Sequence, residues 1–236
     1  MNLILIYPED FLNTDGLVQL TGRRLKHVLD VHRAGLGDTL CVGLAGGRIG
    51  VGTVTRIEAS LLEMQVRFDR EPPPALPVTV ILALPRPKVL RRALRLLSCM
   101  GVKRIYFLNS FRVEKSYWQS PFLDQASMQE QLVLGLEQAK DTVLPEVTLR
   151  FLFKPFVEDE LPGLVKGTRP LVAHPSAVAP VPRGAPDAVT LAIGPEGGFI
   201  PYEVEKLVAC GFQPVSMGNR ILNVEAAVPA LLSRLF

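Results

Sequence analysis

The pattern of apolar and polar positions changes character near residue 70. Before it, apolar runs are short and glycines separate them. Leu3 to Tyr7, Leu17 to Leu20, Thr39 to Leu44, Arg48 to Ile57 and Leu61 to Phe68 read as strands, with Gly35, Gly37, Gly46 and Gly47 between them. One helix interrupts, capped by Thr21 and running through Val31. Five short strands with glycine turns predict a small β-barrel over residues 1–70. Glu71-Pro-Pro-Pro-Ala-Leu-Pro77 follows, with four prolines in seven residues. Neither a helix nor a central strand accommodates them, so 71–77 reads as a linker.

Residues 78–236 alternate between strand and helix patterns. Strands are predicted at Val78 to Leu84, Arg104 to Leu108, Val147 to Phe153, Leu171 to His174, Ala188 to Ile193 and Gln213 to Met217. Helices are predicted at Lys88 to Met100, from a Ser120 cap to about Lys140, at Val157 to Leu164, and after each of the last two strands. Such alternation builds a parallel sheet with helices on both faces. The fold class is therefore α/β, with a small β domain ahead of it.

Two corners in the second region carry chemistry. In Leu191-Ala-Ile-Gly-Pro-Glu-Gly-Gly-Phe199 a buried strand runs into a loop whose glycines leave backbone N–H groups open to a bound molecule, and a helix follows from Tyr202. Met217-Gly-Asn-Arg-Ile-Leu-Asn-Val-Glu225 repeats the arrangement. Two strand-to-glycine-to-helix corners suggest a cofactor site at the carboxyl ends of parallel strands. No Gly-Lys-Ser/Thr follows and no Gly-x-Gly-x-x-Gly is present, so the site is not built for a nucleotide phosphate.

Composition narrows the picture. At 236 residues and 48% hydrophobic, the chain can bury a sizeable core in one large or two small domains. A net charge of +3 is compatible with RNA binding without requiring it. Cys41, Cys99 and Cys210 are far apart, which argues against a zinc ribbon or a disulfide framework and for a reducing compartment. His27 and His32, five apart on a helix, are expected on different faces, and His174 is remote, so no metal site is expected. The N-terminal apolar run has no basic lead and stops at Pro8, and no run approaches the roughly 20 apolar residues of a membrane span. A soluble cytoplasmic protein without membrane contact is expected.

Basic residues fall in two clusters. Lys88, Arg91, Arg92 and Arg95 share one face of the first helix after the linker, with Arg86 ahead of it. Arg23, Arg24, Lys26 and Arg33 surround the N-terminal helix. Either set is a solvated face or a contact for RNA phosphates, and the pair favours RNA. Tyr117 and Trp118 are either base-stacking or packing residues.

Taken together, these segments resemble the RsmE family of SPOUT-class methyltransferases, which methylate N3 of a uridine in small-subunit ribosomal RNA. The resemblance spans nearly the whole chain. His27-Val-Leu-Asp-Val-His-Arg-Ala-Gly-Leu-Gly-Asp38, Leu82-Ala-Leu-Pro85, Met100-Gly-Val-Lys-Arg-Ile105 and Glu137-Gln138 with Leu144-Pro-Glu146 are similar to family segments in the same order. Ile193 to Phe199 matches the family's Ile-Gly-Pro-Glu-Gly-Gly-Phe without a change, and Met217 to Glu225 is similar to its Leu-Gly-x-Arg-Ile-Leu-Arg-x-Glu. The family carries Arg where this chain has Asn223 and Thr where it has Ala227. Its glutamate is missing at Cys99-Met100-Gly101, and Asp141-Thr142 stands near the place of its arginine.

The resemblance implies a PUA-like β-barrel followed by a SPOUT α/β domain with a C-terminal trefoil knot, a homodimer, 16S ribosomal RNA in the small subunit as partner, and S-adenosyl-L-methionine as cofactor. By that comparison the cofactor lies among Leu171 and His174, Ile193, Gly194, Pro195, Glu196, Gly197 and Gly198, and Met217, Gly218, Ile221 and Leu222. Asn223, at the start of the last helix, is expected to orient or stabilise the uracil. Glu225 is either a base or a helix cap, and Arg220 either an RNA contact or an internal tie.

Overall fold

The computed structural model describes residues 2–236, which form two compact units. One comprises residues 2–74 with 133–144, the other 75–132 with 145–236.

In the first unit five strands form one mixed sheet: β1 (Ile4–Ile6), β2 (Leu17–Leu20), β3 (Thr39–Leu44), β4 (Ile49–Ile57) and β5 (Leu62–Arg70), in the order β1-β3-β4-β5-β2. Only the β1–β3 pair is parallel. Side chains from all five strands, both end strands included, meet in one core with Leu25 and Val28. The apolar run at the N-terminus has a physical reason. Ile4 and Ile6 enter that core, while Leu3 and Leu5, on the opposite face, pack with Ile49, Val133 and Leu136.

That second cluster draws in residues expected to belong to the other domain. Segment 133–144 sits with the first unit because Val133 and Leu136 cover the outer face of β1 and the Glu137 carbonyl accepts from the N–H groups of Asn2 and Leu3. Glu137 is fully buried, and Arg23 grips its carboxylate with two hydrogen bonds of 2.8 and 3.0 Å. Arg24 holds the buried Asp10 in the same way, at 2.5 and 2.7 Å, and lies over the Tyr7 ring.

The N-terminal helix departs from expectation. α1 (Gly22–His27) continues as a π-helical turn, Val28–His32, and Thr21 makes no side-chain cap bond. In a π turn, bonds run from i to i+5, so residues five apart share a face. His27 and His32 therefore pack edge to face, with ring centroids 5.1 Å apart, instead of pointing to different faces.

The second unit is built on a six-stranded sheet in which every pairing is parallel. Its strands are β6 (Val78–Ala83), β7 (Arg104–Leu108), β8 (Glu146–Arg150), β9 (Arg169–Ala173), β10 (Val189–Ile193) and β11 (Gln213–Val215), in the order β11-β9-β10-β6-β7-β8. β6 and β10 are buried at every position, as central strands covered on both faces must be. α2 (Pro87–Cys99) starts with proline at its first turn, where a missing N–H costs nothing. It buries Leu90, Ala93, Leu94 and Leu97.

α3 (Gln125–Ala139) begins later than expected. Ser120 caps only a short 3-10 turn, Pro121–Leu123, by accepting from Phe122 N–H. The chain re-extends at Asp124, whose Oδ1 accepts from Ser127 N–H at 2.9 Å and so caps α3. After β8, α4 (Phe153–Pro155), a π turn (Phe156–Glu160) and α5 (Leu161–Leu164) lead towards β9. α6 (Pro201–Ala209) follows β10, and α7 (Val224–Leu235) follows β11. No helix among the described residues is long and apolar enough to cross a membrane.

Candidate active site

Along the sheet the chain steps outward from β6 to β7 to β8, then crosses to β9 and returns with β10 beside β6. Beyond the carboxyl ends of β9, β10 and β11 three loops enclose a cavity of about 470 Å³. Open parallel sheets place small-molecule sites in such a position, and this volume is ample for one.

The middle loop shows why glycine is needed. A Cβ on Gly194 meets the backbone nitrogen of Phe199 at 2.8 Å, so the chain folds back on itself only because none is present. Gly198 adopts φ +74° and donates to the Pro195 carbonyl at 2.7 Å. Phe199 is buried and anchors the end of the turn. The Glu196 carboxylate accepts from Arg86 N–H at 3.4 Å.

Two residues that sequence reasoning did not single out hold this loop. Arg112, after β7, donates to the Gly197 carbonyl and lines the cavity. Buried Glu203 accepts from Ile200 N–H at 3.0 Å and from Phe111 N–H at 2.7 Å, tying the head of α6 to the loop after β7. The flanking loops are also bonded. His174 N–H donates to Val215 at 2.9 Å, and Ser216 exchanges backbone bonds of 2.9 Å with Ala179 and Val181.

His174, Ile193, Gly194, Pro195, Glu196, Gly197, Gly198, Met217, Gly218, Ile221 and Leu222 all line this cavity, and so does Arg220. Leu171 does not. It lies two residues before the end of β9, fully buried in the hydrophobic core. The wall from α7 consists of Val224, Ala227 and Leu231, which recur on one helix face, so Ala227 presents a methyl group where the resemblance anticipates a hydroxyl.

The three candidate catalytic residues separate. Arg220 is exposed and makes no hydrogen bond or ion pair among the described residues. Asn223 caps α7, its Oδ1 accepting from Ala226 N–H at 2.9 Å, which leaves its amide NH₂ available to donate. Glu225 is therefore not the cap. Its carboxylate is engaged by Arg92, whose NH₂ group donates at 2.9 Å while Nε meets the second oxygen. Asn223→Ala should cost about 1 kcal/mol of stability, measured by thermal unfolding, and Asn223→Asp should retain it, because only the second keeps an acceptor at the cap.

The basic stripe on α2 is partly committed within its own unit. Arg92 pairs with Glu225, Arg95 donates to Gln131 at 2.7 Å, and Arg91 lies over the Phe122 ring. Lys88 and Arg86 remain exposed there. In the first unit Arg23 and Arg24 serve Glu137 and Asp10, whereas Lys26 and Arg33 are exposed.

Known proteins match this chain along its length. A family described as RNA methyltransferase domain matches residues 71–236. The ribosomal RNA small subunit methyltransferase E of Treponema pallidum is 27% identical over 98% of this chain and 88% of its own length. The Synechocystis protein of the same description is 30% identical over 98% of this chain and 76% of its own. Among solved structures, a ribosomal RNA small subunit methyltransferase E from Neisseria gonorrhoeae bound to S-adenosyl methionine superposes with a TM-score of 0.75 at 21% identity, over 98% of this chain and 95% of that one. A structure described as a methyltransferase from Legionella pneumophila with bound SAM gives 0.72 at 23%, over 99% and 96%. These two structures share the fold, a mixed N-terminal sheet with a parallel-sheet α/β unit.

Proposed function

Because the chain belongs to the RsmE family of RNA methyltransferases, we propose that it transfers a methyl group from S-adenosylmethionine to N3 of a uridine in 16S ribosomal RNA. The observation that carries this reading is the cavity among three loops at the ends of β9, β10 and β11, with bare glycine backbone on one wall. The cavity fits that cofactor: its volume is adequate, Ile193, Leu222 and Val224 offer apolar surface, and the glycine loop offers polar backbone. When bound, S-adenosylmethionine supplies an electrophilic methyl group on a sulfonium. The loops from His174, Gly194 to Gly198 and Met217 to Leu222 would hold it.

The chain's own task is alignment and charge. Uridine N3 attacks only once its proton has left, so an anion on the uracil must be stabilised. Arg220, uncommitted at the cavity, supplies positive charge. Asn223 supplies an amide donor from the head of α7, where the helix dipole adds to the same effect. Glu225 and Arg92 act as a pair that positions the first turn of α7.

In this reading residues 1–70 are a PUA-like barrel that contacts RNA through Lys26 and Arg33, 71–77 are the linker, and residues 78–236 are the methyltransferase domain with its C-terminal loops knotted. The enzyme works in the cytoplasm as a homodimer. Purified protein incubated with labelled S-adenosylmethionine and small subunits from a strain lacking the gene is expected to yield N3-methyluridine, identified by mass. Cofactor binding without transfer would overturn the reading in favour of an RNA-binding protein that has lost catalysis, and transfer to another RNA would move the substrate.

A further inference from the structure

We propose that a second hollow in the same unit, beyond the carboxyl ends of β7 and β8, binds an unpaired nucleobase of the RNA against Trp118 and Phe151. The proposal rests on RNA being the substrate. The hollow measures about 520 Å³ and is walled by rings, Phe111, Trp118, Phe151, Phe153 and Tyr202 among them. Trp118 and Phe151 stand 4.4 Å apart between centroids at 45°, and the Trp118 N–H is already satisfied by Asn109 Oδ1 at 2.9 Å. The indole is thus oriented without needing the ligand.

Phe111 is 78% exposed and Phe151 57%. Aromatic faces left open to water beside a cavity are a stacking platform of the kind that holds single-stranded nucleic acid.

Polar groups set what the occupant must offer. Ser110 is 4% exposed, lines the hollow, and its hydroxyl is the one buried side-chain polar atom without a partner among the described residues. A buried hydroxyl left unpaired is costly, and a base edge carries the donor or acceptor it lacks. Lys115 and Lys154 line the same hollow and suit flanking phosphates. Glu158 takes a 2.7 Å bond from Lys206, which holds its carboxyl below the usual range, and pairs at 4.0 Å with Lys154, so Lys115 is the lysine of the hollow without that counter-charge.

The hollow is coupled to the cofactor cavity. Phe111 and Arg112 are adjacent, and Glu203 fixes the Phe111 backbone to the head of α6, while Arg112 holds Gly197. A second copy of this chain fits less well, because a two-fold contact would set the lysines of both copies against each other.

Trp118 is the only tryptophan, so its emission reports this hollow alone. A short single-stranded oligouridylate titrated into the full chain should quench that emission saturably, and an abasic oligomer of equal length should not. Phe151→Ala should weaken the oligouridylate about tenfold, and Lys115→Ala should weaken it at low salt. Both variants should keep S-adenosylhomocysteine affinity, which shows that they fold. Methyl transfer with no change in Trp118 emission would sink the base pocket and leave the methyltransferase reading standing. Quenching without methyl transfer would uphold the pocket and remove the reaction. Emission that follows protein concentration and ignores the oligonucleotide would assign the hollow to a second copy and overturn the proposal.

Discussion

Gly194→Ala should weaken S-adenosylhomocysteine binding by about ten- to a hundredfold, measured by calorimetry. The added Cβ meets the Phe199 nitrogen at 2.8 Å and the Gly198 carbonyl carbon at 3.2 Å. Both are backbone atoms, and Phe199 is buried, so neither yields without opening the loop. Neighbouring glycines grade the effect. Gly198→Ala must place a side chain at φ +74°, a strain of about 1–2 kcal/mol. At Gly197 a Cβ meets only the Arg112 side chain, crowding its Cδ at 2.9 Å, and that flexible chain can swing aside. The expected order of damage is therefore Gly194, then Gly198, then Gly197. Undiminished affinity in Gly194→Ala would show that the loop conformation does not govern binding.

Arg23→Met should destabilise the first unit strongly. It leaves the carboxylate of Glu137 buried at 0% exposure without its bidentate partner. Breaking a buried pair from one side costs about 3–5 kcal/mol. Arg23 is itself 42% exposed, so water shares its charge and the lower end applies. For a chain of this size about 3 kcal/mol is a fall in Tm of about 6–12 °C. The double variant Arg23→Met with Glu137→Leu should recover most of that loss, because it removes the stranded charge. If Arg23→Met melts with the wild type, water reaches Glu137 and the pair carries no stability.

What was legible in the sequence was whatever depends on local sterics and periodicity. The two glycine corners could be read because bare backbone next to a strand end has few structural reasons. The buried runs of β6 and β10 could be read because a central parallel strand is apolar on both faces. Leu171 was misplaced for a similar reason: a strand end resembles its interior until the register is known, and only from Ala173 onward does the chain reach the cavity. Arg112 and Glu203 left no local trace. Each acts on a partner 85 or 92 residues away, a distance that only the sheet order brings together. The His27 and His32 contact was hidden by one extra residue per turn, which no hydrophobic period marks. That segment 133–144 groups with the first unit left no trace in the sequence, because its helix pattern continues unbroken while its packing partner changes.

The brevity of β11 has a consequence for the protein's behaviour in a crowded solution. An exposed strand at a sheet margin invites pairing by any extended chain, the first step towards aggregation. β11 has three residues, and the middle one is Pro214, which has no N–H to offer. The margin next to the candidate cofactor loops is therefore a poor template for strand addition, and the sheet can keep those loops open to small ligands without also recruiting foreign backbone.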